Sequence, residues 1–501
     1  MKTINSINTA GAMAFSLVLG LTGCGSGPSE SDQQLDDIIE EQDLNPSQDS
    51  ASLPVITDPL PQLGMKLFYS KSLGGQFDAA CVSCHHPLLG GGDGLSLSVG
   101  VDAVDPDMLG PGREHRQGLP PVPRNAPTVF NVSLWDTGLF WDSRVESLGK
   151  EQGANGSVSG IRTPDTAVGV VDPAAGANLP AAQARFPVVS ADEMKGSLFE
   201  MNSDGDRVRE HLAARIGDYG IGAGEVEIND WLAEFQAAFA SAQDAESLIT
   251  FENIAFAIGE YERTLNFTNN PWNRYMAGDL NALTEDQKQG ALLFFNAPEE
   301  GGAGCAGCHS GELFSDGRHH TVAFPQIGPG KGDGIHGDDD FGRERETGSV
   351  ADRYRFRTPS LLNVAVTAPY GHSGAYQTLE EVVAHYANPE GAVNNFFNAG
   401  GICRLPQFST VPDCESLYPN GRENTRLALE KLGQEINQGV SLLRPVRLDG
   451  MQIAQLVAFL EALTDPCIQD RDCLAPWIPD TGSDGPDGQQ LNGRDSTGNL
   501  L

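Results

Sequence analysis

Apolar residues recur along this chain at steps of three and four, and almost nowhere at steps of two. Phe251, Ile254, Ile258, Tyr261 and Leu265 mark one such face, and Trp231, Leu232, Phe235 and Phe239 mark another. That period lines one side of an α-helix. The tetrad Thr284-Glu285-Asp286-Gln287 has the form of a capping box and predicts a helix running through GALLFF. Met451 to Leu463 predicts a further amphipathic helix, with Met451 in the core. Gly and Pro punctuate long loops between these segments. The expected fold is mainly α.

The two ends break the pattern. Lys2, the apolar run Ala10 to Leu21 and the sequence Leu21-Thr22-Gly23-Cys24 resemble a bacterial lipoprotein signal peptide, residues 1–24, with Cys24 as the lipidated residue. Gly25 rather than Asp follows it, which points to the outer membrane on the periplasmic side. No later run approaches the ~20 apolar residues of a membrane span, so the expected attachment is the lipid alone. Residues 25–55 are acidic and Ser-rich and read as a flexible tether, and residues 479–501 as a disordered tail. Asp plus Glu outnumber Lys plus Arg by 68 to 32, for a formal net charge of -36. Such a balance argues against nucleic acid and anionic membrane surfaces. It suits a surface kept soluble, or a basic redox partner.

Two short stretches carry chemistry. Asp78-Ala-Ala-Cys81-Val-Ser-Cys84-His85 by itself fits zinc, a redox disulfide or a haem. Zinc needs a second ligand pair at a matching distance, and a redox CxxC has no use for the next residue being histidine. CxxCH suits haem, because two thiols reach the vinyl groups and the imidazole reaches the iron. Its recurrence as Cys305-Ala-Gly-Cys308-His309 implies two covalently bound haem c groups. More than 200 residues separate the motifs, so each is expected in its own c-type haem domain, residues 56–280 and 281–478. Of nine cysteines, one lipidated and four haem-bound leave Cys403, Cys414, Cys467 and Cys473. In an oxidising compartment the short loops favour Cys403–Cys414 and Cys467–Cys473.

Around both motifs, from about Leu63 to Thr464, the chain resembles the bacterial dihaem cytochrome c peroxidases and their relative MauG. RNAPTVFN (Arg124 to Asn131), FWDSR (Phe140 to Arg144), TLNFTNNPWNRYMAGD (Thr264 to Asp279) and FRTPSLLNVAVTAPYGHSGAYQTLEEVVAHY (Phe356 to Tyr386) carry the resemblance. It implies that hydrogen peroxide reacts at the N-terminal haem, with His85 as proximal iron ligand. Glu193, six residues after Pro187, would be the general acid/base. Gln152, one residue out of the family's register, would lie beside it. Trp141 would relay electrons between the haems. Calcium would bind between the domains through the Asn125 side chain and the carbonyls of Thr367 and Pro369. His372 resembles a residue that hydrogen-bonds near a haem, and His115 one that caps the resting peroxide haem. Stretches 153–186 and 387–440 are insertions.

At the C-terminal haem, with His309 proximal, the family's distal Met is replaced by Tyr386, as in MauG. The adjacent His385 is the alternative ligand. A phenolate stabilises oxidised iron, whereas a thioether raises the potential. Three functions follow: a peroxidase fed by a small cytochrome or cupredoxin, a MauG-like enzyme oxidising Tyr or Trp of a partner protein, or a non-catalytic electron-transfer cytochrome. Glu193 argues against the last.

Overall fold

Each stretch with the three- and four-residue apolar period is a helix in the computed structural model of the chain, which describes residues 28–46, 53–480 and 482–501. The signal segment and Cys24 lie outside these residues. In chain order the framework helices are α1 (Glu30–Glu41), α2 (Pro59–Phe68), α3 (Phe251–Thr264), α4 (Glu285–Phe295), α5 (Leu379–Ala387) and α6 (Gly450–Glu461). Thr284 caps α4 with the expected capping box. Strands are few and short. Gly138–Leu139, Val145–Ser147 and Ile161–Arg162 (β1, β2, β3) form one antiparallel sheet in that order, and His319–Thr321 pairs with Arg355–Arg357 (β4, β5) in another. Mainly α is therefore the observed class.

The two halves of the chain build cores by the same device. In the first, α2 crosses α3, and a Cβ on Gly64 would lie 1.9 Å from the Ala257 carbonyl oxygen. In the second, α4 crosses α6, and a Cβ on Gly290 would lie 1.9 Å from the Gln455 oxygen. No other residue type fits backbone contact this close. Around the first crossing Leu63, Phe68, Trp231, Phe235, Ile258 and Tyr261 are buried together. Around the second, Trp272, Phe294, Phe295, Phe459 and Leu463 form a separate cluster. Both predicted disulfides, Cys403–Cys414 and Cys467–Cys473, are present.

Three expectations about the periphery are corrected. Residues 30–41 of the supposed tether are helix α1, which buries Leu35 and Ile38 against α4 and sets Asp32 2.6 Å from Lys288 Nζ. Charge density misled here, because Glu30, Asp36, Asp37, Glu40 and Glu41 face solvent while a Leu/Ile stripe and the buried Asp32 are enough to dock. The supposed tail is also packed. Asp487 is buried and accepts hydrogen bonds from Trp231 Nε1 (2.8 Å) and Ser70 Oγ (2.9 Å), and Leu491 joins the first core. Met451 is 67 % exposed rather than in the core, since it stands in the first turn of α6, ahead of the buried residues Leu456, Val457, Phe459 and Leu460.

A buried ion network joins the halves. Arg124 grips Asp340 with two nitrogens (2.6 and 2.8 Å) and Asp142 with a third (2.5 Å). Burial alone would raise the Asp340 carboxyl, but the Arg124 charge outweighs it and holds the group at about 2. Its folded value therefore lies below the unfolded one, near 3.9. The stabilisation is present above that unfolded value and is lost as pH falls from about 4 towards about 2.

Candidate haem centres and peroxide site

Both CxxCH motifs fold as tight 3₁₀ turns, Cys81–Ser83 and Cys305–Gly307. The turn brings each pair of thiols and the following imidazole onto one wall. Cys81, Cys84, Cys305 and Cys308 are free thiols, unlike the four disulfide-bonded cysteines. Each histidine commits Nδ1 to a backbone carbonyl, His85 to Gly91 (3.1 Å) and His309 to Phe314 (2.8 Å). That fixes the ring and leaves Nε2 as the ligand atom. Burial lowers both imidazoles below the ordinary histidine value, which keeps them neutral. Burial also pushes the thiols of Cys84 and Cys305 up to about 12 and raises Cys81. Two unpaired thiols and a neutral, oriented imidazole are the donor set of haem c, so the residues fit that group at both motifs.

Beside the second motif lies a cavity of about 280 Å³ lined by Cys305, Cys308, His309 and Tyr386 and walled by Phe294, Leu362, Leu456 and Leu460. The His309 and Tyr386 rings meet edge-on, 6.4 Å apart at 85°. The neighbouring His385 is fully buried with both nitrogens taken, Nδ1 by Tyr376 Oη (2.9 Å) and Nε2 by the Val322 carbonyl (2.7 Å). It is a satisfied structural histidine, and of the two neighbours only Tyr386 lines the cavity.

The same cavity extends to residues of the first half, including Asn125, Trp135 and Trp141. Trp141 Nε1 donates to the Asn125 carbonyl at 2.9 Å, and its own carbonyl accepts from Arg357 N–H at 2.8 Å. Its indole is thereby held between the halves. Trp135 differs, because the Arg357 guanidinium sits 3.9 Å over its ring. Thr367 and Pro369 line the cavity with Asn125, whose Nδ2 donates to Leu95 O (2.9 Å). His372 is buried and stacked on Phe356, ring centroids 3.8 Å apart, and its carbonyl accepts from Asn125 N–H.

Glu193 lies on a single π-turn, Ala191–Lys195, directly after the 3₁₀ turn Pro187–Val189. The extra residue of a π-turn re-aims side chains, a feature common at functional sites. Glu193 is half-buried. Burial raises its carboxyl above the ordinary value, while Arg144 and Lys331 pull the other way and Asp192 adds to the rise. Burial lowers Lys331 to about 8, helped by Arg124 and Arg144.

Gln152 is exposed on the turn after β2. His115 is buried, and its Nδ1 accepts from Gln117 N–H (3.2 Å).

Two residues escaped the sequence reading. Lys331 comes from a Gly-rich loop of the second half, with no motif to mark it. His320 lines the same cavity, its Nε2 2.7 Å from Asp316 Oδ2. Burial opposes its charge, but Asp316 and Cys308 outweigh burial and raise it to about 9. The pairing i, i+4 just past CxxCH was the signal available for it.

With this geometry, comparison with known proteins is specific. The profile of the family described as di-haem cytochrome c peroxidase matches residues 59–281. The methylamine utilization protein MauG of Methylorubrum extorquens is 29% identical over 326 residues, 65% of this chain and 67% of that protein. The cytochrome c551 peroxidase of Pseudomonas aeruginosa is 28% identical over 67% of this chain and 73% of its own. A cytochrome-c peroxidase of Denitromonas iodatirespirans is 28% identical over 84% of this chain and 85% of its own. Among solved structures, a MauG-like protein associated with microbial copper homeostasis has the same fold, with a TM-score of 0.52 and 23% identity over 86% of this chain and 96% of that one.

Proposed function

Given that the chain belongs to the dihaem cytochrome c peroxidase and MauG family, we propose that it is a peroxide-consuming oxidoreductase with two haem c groups, in which peroxide reacts beside Glu193 and the second centre is ligated by Tyr386. The observation that carries this reading is the pair His309 and Tyr386 facing each other across one cavity, with His385 fully committed elsewhere. Haem c held at the two motifs would supply reversible electron transfer and, at the first, iron redox chemistry towards peroxide. The protein supplies the rest. His85 and His309 are oriented by their Nδ1 bonds. Glu193, whose carboxyl burial raises above the ordinary value, would take the proton from peroxide and return it to the leaving oxygen. Trp141, clear of the cation that sits over Trp135, is the indole suited to pass electrons between the halves. We read those halves as two c-type haem domains.

Asn125, Thr367 and Pro369 share the cavity wall between the halves, a set of hard oxygen donors suited to one calcium ion. The lipobox around Cys24 supports periplasmic, lipid-anchored residence at the outer membrane. Tyr386 favours the MauG-like version, oxidation of Tyr or Trp on a partner protein, over a peroxidase fed by a small cytochrome or cupredoxin.

Two measurements test the reading. Haem-stained denaturing gels with mass spectrometry are expected to show two haems per chain, and Cys305→Ala with Cys308→Ala to leave one; a protein without covalent haem would refute it. The resting absorption spectrum is expected to lack the near-infrared band of Met-ligated ferric haem. Tyr386→Met is expected to introduce that band and raise the potential of the second haem, because a neutral soft donor replaces an anion that favours ferric iron. An unchanged potential would remove Tyr386 from the iron.

A further inference from the structure

Leu97 belongs to the first half of the chain and is fully buried, yet both its backbone groups are bonded by one side chain from the second half. Gln407 Oε1 accepts from Leu97 N–H at 3.0 Å, and Gln407 Nε2 donates to the Leu97 carbonyl at 2.7 Å. Gln407 stands inside the loop closed by the Cys403–Cys414 disulfide. Its neighbours Leu405 and Phe408 pack with Leu97 in one apolar cluster. An amide that pairs with both groups of one residue does what an adjacent strand would do, so it sets the register of the segment that follows.

That segment leads to the peroxide site. Arg113 Nε and Nη2 hold the carbonyls of Val99 (2.7 Å) and Gly100 (2.9 Å). A Cβ on Gly100 would lie 2.3 Å from the Glu193 carbonyl oxygen and 2.4 Å from that of Asp192. Val101 N–H reaches the Asp192 carbonyl at 3.4 Å. The π-turn that aims Glu193 therefore rests on backbone whose other end is pinned by Gln407.

We propose that the disulfide-closed loop Cys403–Cys414 is a positioning element for the peroxide site, acting through Gln407 on the 97–101 segment and so on Glu193. It rests on the reading of Glu193 as acid/base. Gln407 touches neither Glu193 nor any haem-binding residue, so it is a positioning residue. Closing the short loop removes backbone freedom that would otherwise blur the placement of Gln407.

The test uses the full-length dihaem protein. Gln407→Met keeps the side-chain length and removes both hydrogen bonds at a half-buried position where folding should survive. It is expected to lower kcat for peroxide roughly ten-fold, short of the ~10²-fold that a misplacement of about 1 Å costs. The KM for the electron donor and both haem spectra should stay unchanged. A merely structural role would leave the acid limb of the pH profile in place. Here the limb should move to lower pH, because a loosened turn hydrates Glu193, which faces Arg144, Lys331, Asp192 and Arg124. Hydrogen exchange at residues 97–101 should quicken. Cys403→Ser with Cys414→Ser should act in the same direction. Wild-type kcat and acid limb in Gln407→Met, with Glu193→Gln slow, would overturn the proposal and leave the reading of Glu193 intact. Glu193→Gln within twofold of wild type would overturn both.

Discussion

Glu193→Gln is expected to slow peroxide consumption by about 10²–10⁴-fold, the usual contribution of a positioned general acid–base. Glutamine keeps the size and hydrogen-bonding shape of the side chain but cannot carry the proton between the two oxygens. Peroxide should still reach the site, so the loss should fall on kcat rather than on KM. The wild-type pH profile should show an acid limb above that of an ordinary glutamate, since burial raises the carboxyl against the pull of Arg144 and Lys331. The limb should vanish in the variant. Stopped-flow mixing with peroxide measures both, with the haem spectra of the resting proteins as the control for intact centres. Turnover within twofold of wild type would make Glu193 an ordinary wall residue.

Arg124→Met should destabilise the fold by about 3–5 kcal/mol, because it leaves the buried Asp340 without its ion-pair partner and the buried Asp142 with Arg144 alone. Asp142 and Asp340 are almost fully buried, and Arg124 is the cation between them. Adding Asp142→Asn and Asp340→Asn to Arg124→Met should recover most of the loss, since the stranded charges are then gone. Urea unfolding followed by tryptophan fluorescence and by haem absorbance gives the midpoints. A single variant with the wild-type midpoint would show that the network contributes nothing net. Because Asp340 titrates at about 2, the difference between wild type and Arg124→Met should persist at pH 5 and shrink towards pH 2.

The sequence by itself determined the parts whose chemistry is local. CxxCH must close as one turn for its thiols and imidazole to share a wall, so spacing alone marked both candidate haem attachments. Helices with a three- and four-residue apolar period formed where that period ran, because one apolar face has to be buried. Short loops determined the disulfide partners in the same way. Tyr386 was readable as a candidate from its place after TLEE, but sequence could not choose between it and His385. Tertiary structure committed both nitrogens of His385, to Tyr376 Oη and the Val322 carbonyl, and left Tyr386 lining the cavity. It also docked α1 and the C-terminal segment onto the cores, and brought Lys331 and Gln407 of the second half to bear on the first. These outcomes depend on pairings between residues far apart in the chain. No periodicity or spacing encodes such pairings, because each partner is supplied only when separate halves pack.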